Sequence, residues 1–152
     1  MAQDKRTIAH EWFERVWNKR ETAAIDELLD DDAVVNGLAT AEGSAMRGPS
    51  GFKGIHAAFL GAFPDLRIDV EDCVEQGDPL AFRCVVRGTH LGDGLGMPPT
   101  GHRVEFAGMG FLRAEGRKIV EAWNTFDFQQ MNNQLGGGNA EADRPLPRPA
   151  PY

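Results

Sequence analysis

The chain has 152 residues, 41% of them apolar, enough for one domain with a real hydrophobic core. Sixteen basic against 23 acidic residues give a formal charge of −7, and the Lys and Arg residues are scattered. That balance argues against nucleic acid or an anionic membrane surface as a partner, because both need a concentrated basic patch. No apolar run approaches the roughly 20 residues that span a bilayer, and the N-terminal residues lead into an amphipathic pattern, so the expected setting is the cytoplasm.

Asp4 is placed to cap a first helix whose apolar stripe runs through Ile8, Ala9, Trp12, Phe13, Val16 and Trp17. Thr22 is expected to cap a short second helix carrying Ile25, Leu28 and Leu29, and Asp30 to Asp32 lead into a short strand, 33–36. The Gly-, Ala- and Ser-rich segment 37–49 reads as a loop. Ser50 then caps a third helix with Phe52, Ile55, His56, Phe59 and Phe63 on one side, stopped by Pro64. From Leu66 the apolar period shifts from about 3.6 to 2. Strands are expected at 66–71, 80–90, 102–113 and 118–127, with a hairpin turn at 114–117. Helices followed by an antiparallel meander define an α+β domain. Residues 1–136 form that single domain, and the Gly/Pro-rich stretch 137–152 reads as a mobile tail that buries too little surface to fold alone. Cys73 and Cys84 are too few for a disulfide framework or a zinc site and read as small buried hydrophobes. The four histidines show no metal-ligand spacing, so no metal is expected. Gly108 and Gly110 interrupt an apolar strand, the pattern of a bend or a close approach by another group.

Several stretches together resemble a known family. These are Val16-Trp17-Asn18, Ala62-Phe63-Pro64-Asp65-Leu66, Arg87-Gly88-Thr89-His90-Leu91-Gly92, Pro99-Thr100-Gly101-His102-Arg103-Val104, Gly116 to Trp123, then Asp127 and Gln134-Leu135-Gly136. Their order and spacing are similar to the SnoaL-like polyketide cyclases, also called ester cyclases, over about residues 6 to 136. The resemblance implies the fold of nuclear transport factor 2, scytalone dehydratase and ketosteroid isomerase. In that fold three N-terminal helices pack in a strongly curved antiparallel sheet, forming a cone with a deep, mostly apolar pocket. It also implies cofactor-free acid-base chemistry, an intramolecular aldol closure of a polyketide ring, with an aspartate near the end of the last strand as acid and base.

By position that aspartate corresponds to Asp127. A carboxylate at the rim of an apolar pocket has its pKa raised toward the working pH by desolvation. The competing reading is that Asp127 caps the segment 128–135, since Asp is a favoured N-cap. His90, at a strand end, is the second catalytic candidate, able to donate to a carbonyl or enolate oxygen; otherwise it is a hydrogen-bonded strand-edge residue. His56 falls on an apolar helical face, as a pocket or a core-edge residue, whereas His102 is expected to face solvent. Trp12, Phe13, Trp17, Phe59, Phe63 and Trp123 are first of all core residues, of which a subset lines the pocket; Met109 is a further lining candidate, and Asn124 a hydrogen-bond donor there. Family members often carry a histidine where this chain has Ala122, which weakens the transfer of activity.

Two readings of function follow. One is a cyclase or isomerase acting on a small to medium apolar carbonyl compound; a dehydratase or epoxide hydrolase on the same fold would use a carboxylate differently. The other is a binding module for an apolar ligand without chemistry. Either way a homodimer is expected, since domains of this shape pair through the sheet.

Overall fold

The structure, a computed structural model, describes residues 5–38 and 45–136. The expected Asp4 cap, the middle of the 37–49 loop and the tail 137–152 lie outside the described residues. The chain opens with α1 (Lys5–Glu11), which runs on as a π-helical segment (Trp12–Asn18), followed by α2 (Thr22–Leu28). Next come β1 (Leu29–Asn36), β2 (Met46–Arg47) and α3 (Gly48–Ala62). The meander β3 (Arg67–Glu75), β4 (Leu80–Thr89), β5 (Arg103–Glu115) and β6 (Lys118–Phe126) leads to α4 (Phe128–Leu135).

Three local expectations are corrected. The third helix starts at Gly48, two residues before Ser50, because Pro49 in the first turn has no N–H to leave unsatisfied. The first strand begins at Leu29 and takes in all three aspartates, whose neighbours Leu29 and Ala33 are buried. Within the segment expected to be only loop, Met46 and Arg47 pair antiparallel with Val35 and Val34. Helix α3 ends where expected: Phe63, held extended by the following proline, caps it.

The six strands form one curled, open sheet in the order β2-β1-β6-β5-β4-β3. All neighbours are antiparallel except β1 and β6, which are parallel; no hairpin joins this pair, so no turn dictates its direction. Alternation on β4 is as the sequence implies. Leu80, Phe82, Cys84 and Val86 are buried against the helices, while Arg83 and Arg87 stand outside in ion pairs with Asp72 and with Asp69 and Glu105. Burial pushes the Cys84 thiol up to about 12, so it behaves as a small hydrophobe. Gly108 and Gly110 mark close approaches: a Cβ at Gly108 would lie 2.2 Å from the Phe126 ring, and one at Gly110 3.0 Å from that of Phe82.

Side-chain amides close two exposed stretches of the sheet. Asn18 accepts from Ile68 N–H (2.7 Å) and donates to Ile68 C=O (2.8 Å), as a neighbouring strand would along β3. Gln134 does the same for Glu105, accepting at 2.8 Å and donating at 2.9 Å, beyond the point where β6 stops pairing with β5. Unpaired strand edges are templates for association, and both amides blunt that liability.

Candidate functional site

Between the helices and the inner face of the sheet lies a cavity walled almost wholly by apolar side chains. The π-helical segment contributes Trp12, Phe13 and Trp17, and α3 contributes Phe52, Ile55 and Phe59. The sheet supplies Ile68, Val86, Phe106, Leu112, Ile119 and Ala122, and Phe126 and Phe128 stand at the entry to α4. Their rings interlock: Trp12 on Phe52 (4.9 Å between centroids), Trp17 on Phe52 (5.8 Å), Phe59 on Phe128 (5.8 Å) and Phe126 on Phe128 (5.9 Å). The cavity has a volume of about 60 Å³, room for a few water molecules. A larger organic occupant must displace side chains, and Ile55, Phe59, Phe126 and Phe128 are the half-buried apolar ones at hand.

None of the lining side chains ionises, and Asn124 is the one amide among them. Its Nδ2 donates to the Asn36 carbonyl (3.1 Å), while the Asn36 amide donates to the Ala122 carbonyl (3.1 Å). This ladder fixes the Asn124 side chain and, among the described residues, leaves Oδ1 and the second N–H for an occupant.

Asp127 sits between two lining residues, Phe126 and Phe128, but is exposed and is not itself part of the wall. Its Oδ1 accepts the Gln130 N–H at 2.9 Å, which caps α4. His90 is completely buried at the end of β4. The Thr100 N–H donates to its Nδ1 (3.1 Å), which puts the ring proton on Nε2. That Nε2 is buried without a hydrogen-bond partner among the described residues. Asp127 bonds the first turn of α4 and His90 bonds Thr100, so the two share no partner.

Of the other residues picked out from sequence, Trp12, Phe13, Phe59 and Asn124 line the cavity. Phe63 lies behind Phe59 (6.5 Å between centroids), and its ring also meets His90 (5.6 Å). His56 is likewise behind the wall, donating from Nε2 to the Val16 carbonyl at 2.7 Å. Desolvation lowers its pKa, against the opposing effect of that hydrogen bond. Met109 and Trp123 lie on the outer face of the sheet, Trp123 beneath the Arg113 guanidinium at 5.8 Å. His102 is exposed, its Nδ1 donating to the Gln134 carbonyl (3.0 Å). Trp17, named among the core aromatics, lines the cavity as well. Lining residues not picked out include Phe52, Phe106, Phe126 and Phe128; Phe52 was visible in a helical stripe, and the last two flank Asp127.

Near the mouth of the meander, Asp65 accepts both the N–H (2.7 Å) and the hydroxyl (2.8 Å) of Thr89. Burial acts to raise its pKa, but these bonds and the nearby Arg20 charge outweigh it and hold the carboxyl low. Among the described residues no group of three or more His, Cys, Asp or Glu is placed to hold a metal ion, and no helix is long and apolar enough to cross a membrane.

A helix-lined, curled sheet enclosing an aromatic cavity defines a class of small α+β domains. Within that class the chain belongs to the SnoaL-like polyketide cyclase family, whose profile matches residues 7–135. It is similar to IdmH of Streptomyces antibioticus, a candidate polyketide cyclase, at 33% identity and TM-score 0.77 over 89% of this chain and 100% of that one. AclR of Streptomyces galilaeus, a candidate hydroxylase, is 26% identical with TM-score 0.73, covering 86% and 83%. A protein of ketosteroid isomerase-like fold from Catenulispora acidiphila, 17% identical with TM-score 0.70 over 84% and 91%, shares the fold. A search of curated protein sequences finds no match.

Proposed function

We propose that the chain is a ring-closing enzyme that encloses an apolar, carbonyl-bearing carbon chain in the aromatic cavity, without a cofactor. Asn124 would hold an oxygen of the substrate and Asp127 would move the proton at the rim. The carrying observation is the placement of Asp127 between Phe126 and Phe128, so that a carboxylate adjoins a wall that contains none. In an aldol closure the carboxylate takes a proton from a carbon between two carbonyls. That carbon bonds to a distant carbonyl carbon, and the resulting alkoxide takes a proton back. The substrate's own carbonyls delocalise the charge.

The test is Asp127→Asn, assayed by absorbance on linear 1,3-dicarbonyl compounds that carry a further carbonyl along the chain. Asparagine caps a helix as well as aspartate, so the variant keeps its fold while losing a proton carrier worth about 10²–10⁴ in rate. Full turnover by the folded variant would reduce Asp127 to a cap. A second reading, a binding module without chemistry, draws on the lack of any ionisable group in the wall; a ligand bound and released unchanged by the native protein would favour it. We also propose a homodimer joined through the outer sheet face, where Met109 and Phe111 are 52% and 49% exposed beside Trp123. A monomer mass by light scattering at micromolar concentration would contradict the dimer.

A further inference from the structure

The helical hairpin that supplies three cavity aromatics ends in an unusual way. Trp12–Asn18 is π-helical, a rare form that closes each turn with one residue more than an α-helix. A helix end leaves its last carbonyls without donors from its own turns, and here four carbonyls find donors beyond the segment. Glu14 C=O accepts from Lys19 N–H (2.8 Å), Arg15 C=O from Glu21 N–H (2.9 Å), and Asn18 C=O from the Arg20 guanidinium (2.8 Å). Val16 C=O accepts from His56 Nε2 at 2.7 Å, the one donor of the four that comes from another helix, and the bond is buried. In an α-helical register that carbonyl would take the Arg20 N–H instead. Arg20, at φ 58°, leaves the helical path, and His56 supplies in its place the donor that an α-turn would give the Val16 carbonyl; the Trp17 ring lies against His56 at 5.0 Å.

We infer that His56 is a positioning residue for the cavity: by holding the Val16 carbonyl it keeps Trp12–Asn18 in the π register and so keeps Trp12, Phe13 and Trp17 in the wall. The inference rests on the cavity being the binding site proposed above, and its test separates the two. His56→Leu removes the donor at similar volume, whereas His56→Gln keeps an N–H near the position of Nε2. Each variant is followed by thermal melting, by crystal structure, and by quenching of tryptophan fluorescence with 2-naphthol. The folded Leu variant is expected to show Trp12–Asn18 as α-helix and to bind 2-naphthol about tenfold more weakly. The Gln variant is expected to restore both the π register and the affinity. A π-helical segment retained in the Leu variant overturns the inference, as does a folded Gln variant that has lost it. If the Leu variant does not fold, the register seen in the Gln variant decides alone. Failure of the native protein to bind 2-naphthol would count against the cavity reading, while the backbone register would still decide the role of His56.

Discussion

Replacing Asn124 by leucine isolates the polar contact that the cavity offers. The two side chains are similar in size, so the change is made at nearly constant volume. The change removes the bond from Nδ2 to the Asn36 carbonyl, which costs about 1 kcal/mol, a fall in melting temperature of about 2–4 °C for a domain of this size. It also removes Oδ1 and the second N–H from the wall. A ligand oxygen bonded there would lose about 0.5–1.5 kcal/mol, or about 2- to 12-fold in affinity. The assay compares 2-naphthol with naphthalene, each titrated against the fluorescence of Trp12 and Trp17, in native and variant protein. The ratio of the two dissociation constants is the readout, because a general change of cavity shape cancels in it. Asn124→Leu should shift the ratio toward naphthalene by that factor. An unchanged ratio would refute the assignment of Asn124 as the oxygen contact.

Gly108→Ala places a Cβ 2.2 Å from the Phe126 ring and should cost about 1–3 kcal/mol by overpacking; a native melting curve would show that β6 gives way freely. Asn18→Ala loses both bonds to Ile68, about 2 kcal/mol, and should lower the melting temperature by about 4–8 °C and increase aggregation from the bared β3 edge. Stability should also fall as pH drops below the ordinary histidine value of 6.5. The folded pKa of His56 is lowered by desolvation, so the unfolded chain binds the proton first. Denaturant melts between about pH 5 and 7 would show this slope in the native protein, and His56→Gln should flatten it.

The meander was legible because a two-residue period over β3 and β4 coincides with turn residues at 77–79. The cavity wall was less so. On β5 both faces are apolar around Gly108, with Phe106 and Leu112 inward and Met109 and Phe111 outward, so hydrophobicity could not tell which parity faces the helices. On β6 the register slips between Arg113 and Ala114 of its partner strand. The slip turns Ile119 and Ala122 inward together; Asn124 then faces the cavity and Trp123, expected as a lining candidate, faces outside. The π-helix did leave a trace. Ile8-Ala9, Trp12-Phe13 and Val16-Trp17 recur every four residues, and all six are buried. An α-helix of 3.6 residues per turn would carry such pairs around its surface by about 40° per turn, which a wider turn corrects.

The motifs that identify the family prove to be joints of the fold more than parts of its chemistry. Asn18 bridges to β3, Asp65 ties the end of α3 to Thr89, and Thr100 holds the His90 ring. Gly92 passes so close to α3 that a Cβ would meet the Gly61 carbonyl at 1.8 Å, and Gln134 stands in for a strand beside Glu105. Each joint relies on a particular amide, carboxylate or missing side chain, so each ties the fold to one residue type at one position. The wall needs only apolar bulk facing inward, which Trp12, Phe52, Phe106 and Phe128 supply from four different elements without any shared string. Resemblance in the joints therefore carries architecture between relatives, and variants at wall positions such as Asn124 should alter ligand selectivity without unmaking the fold.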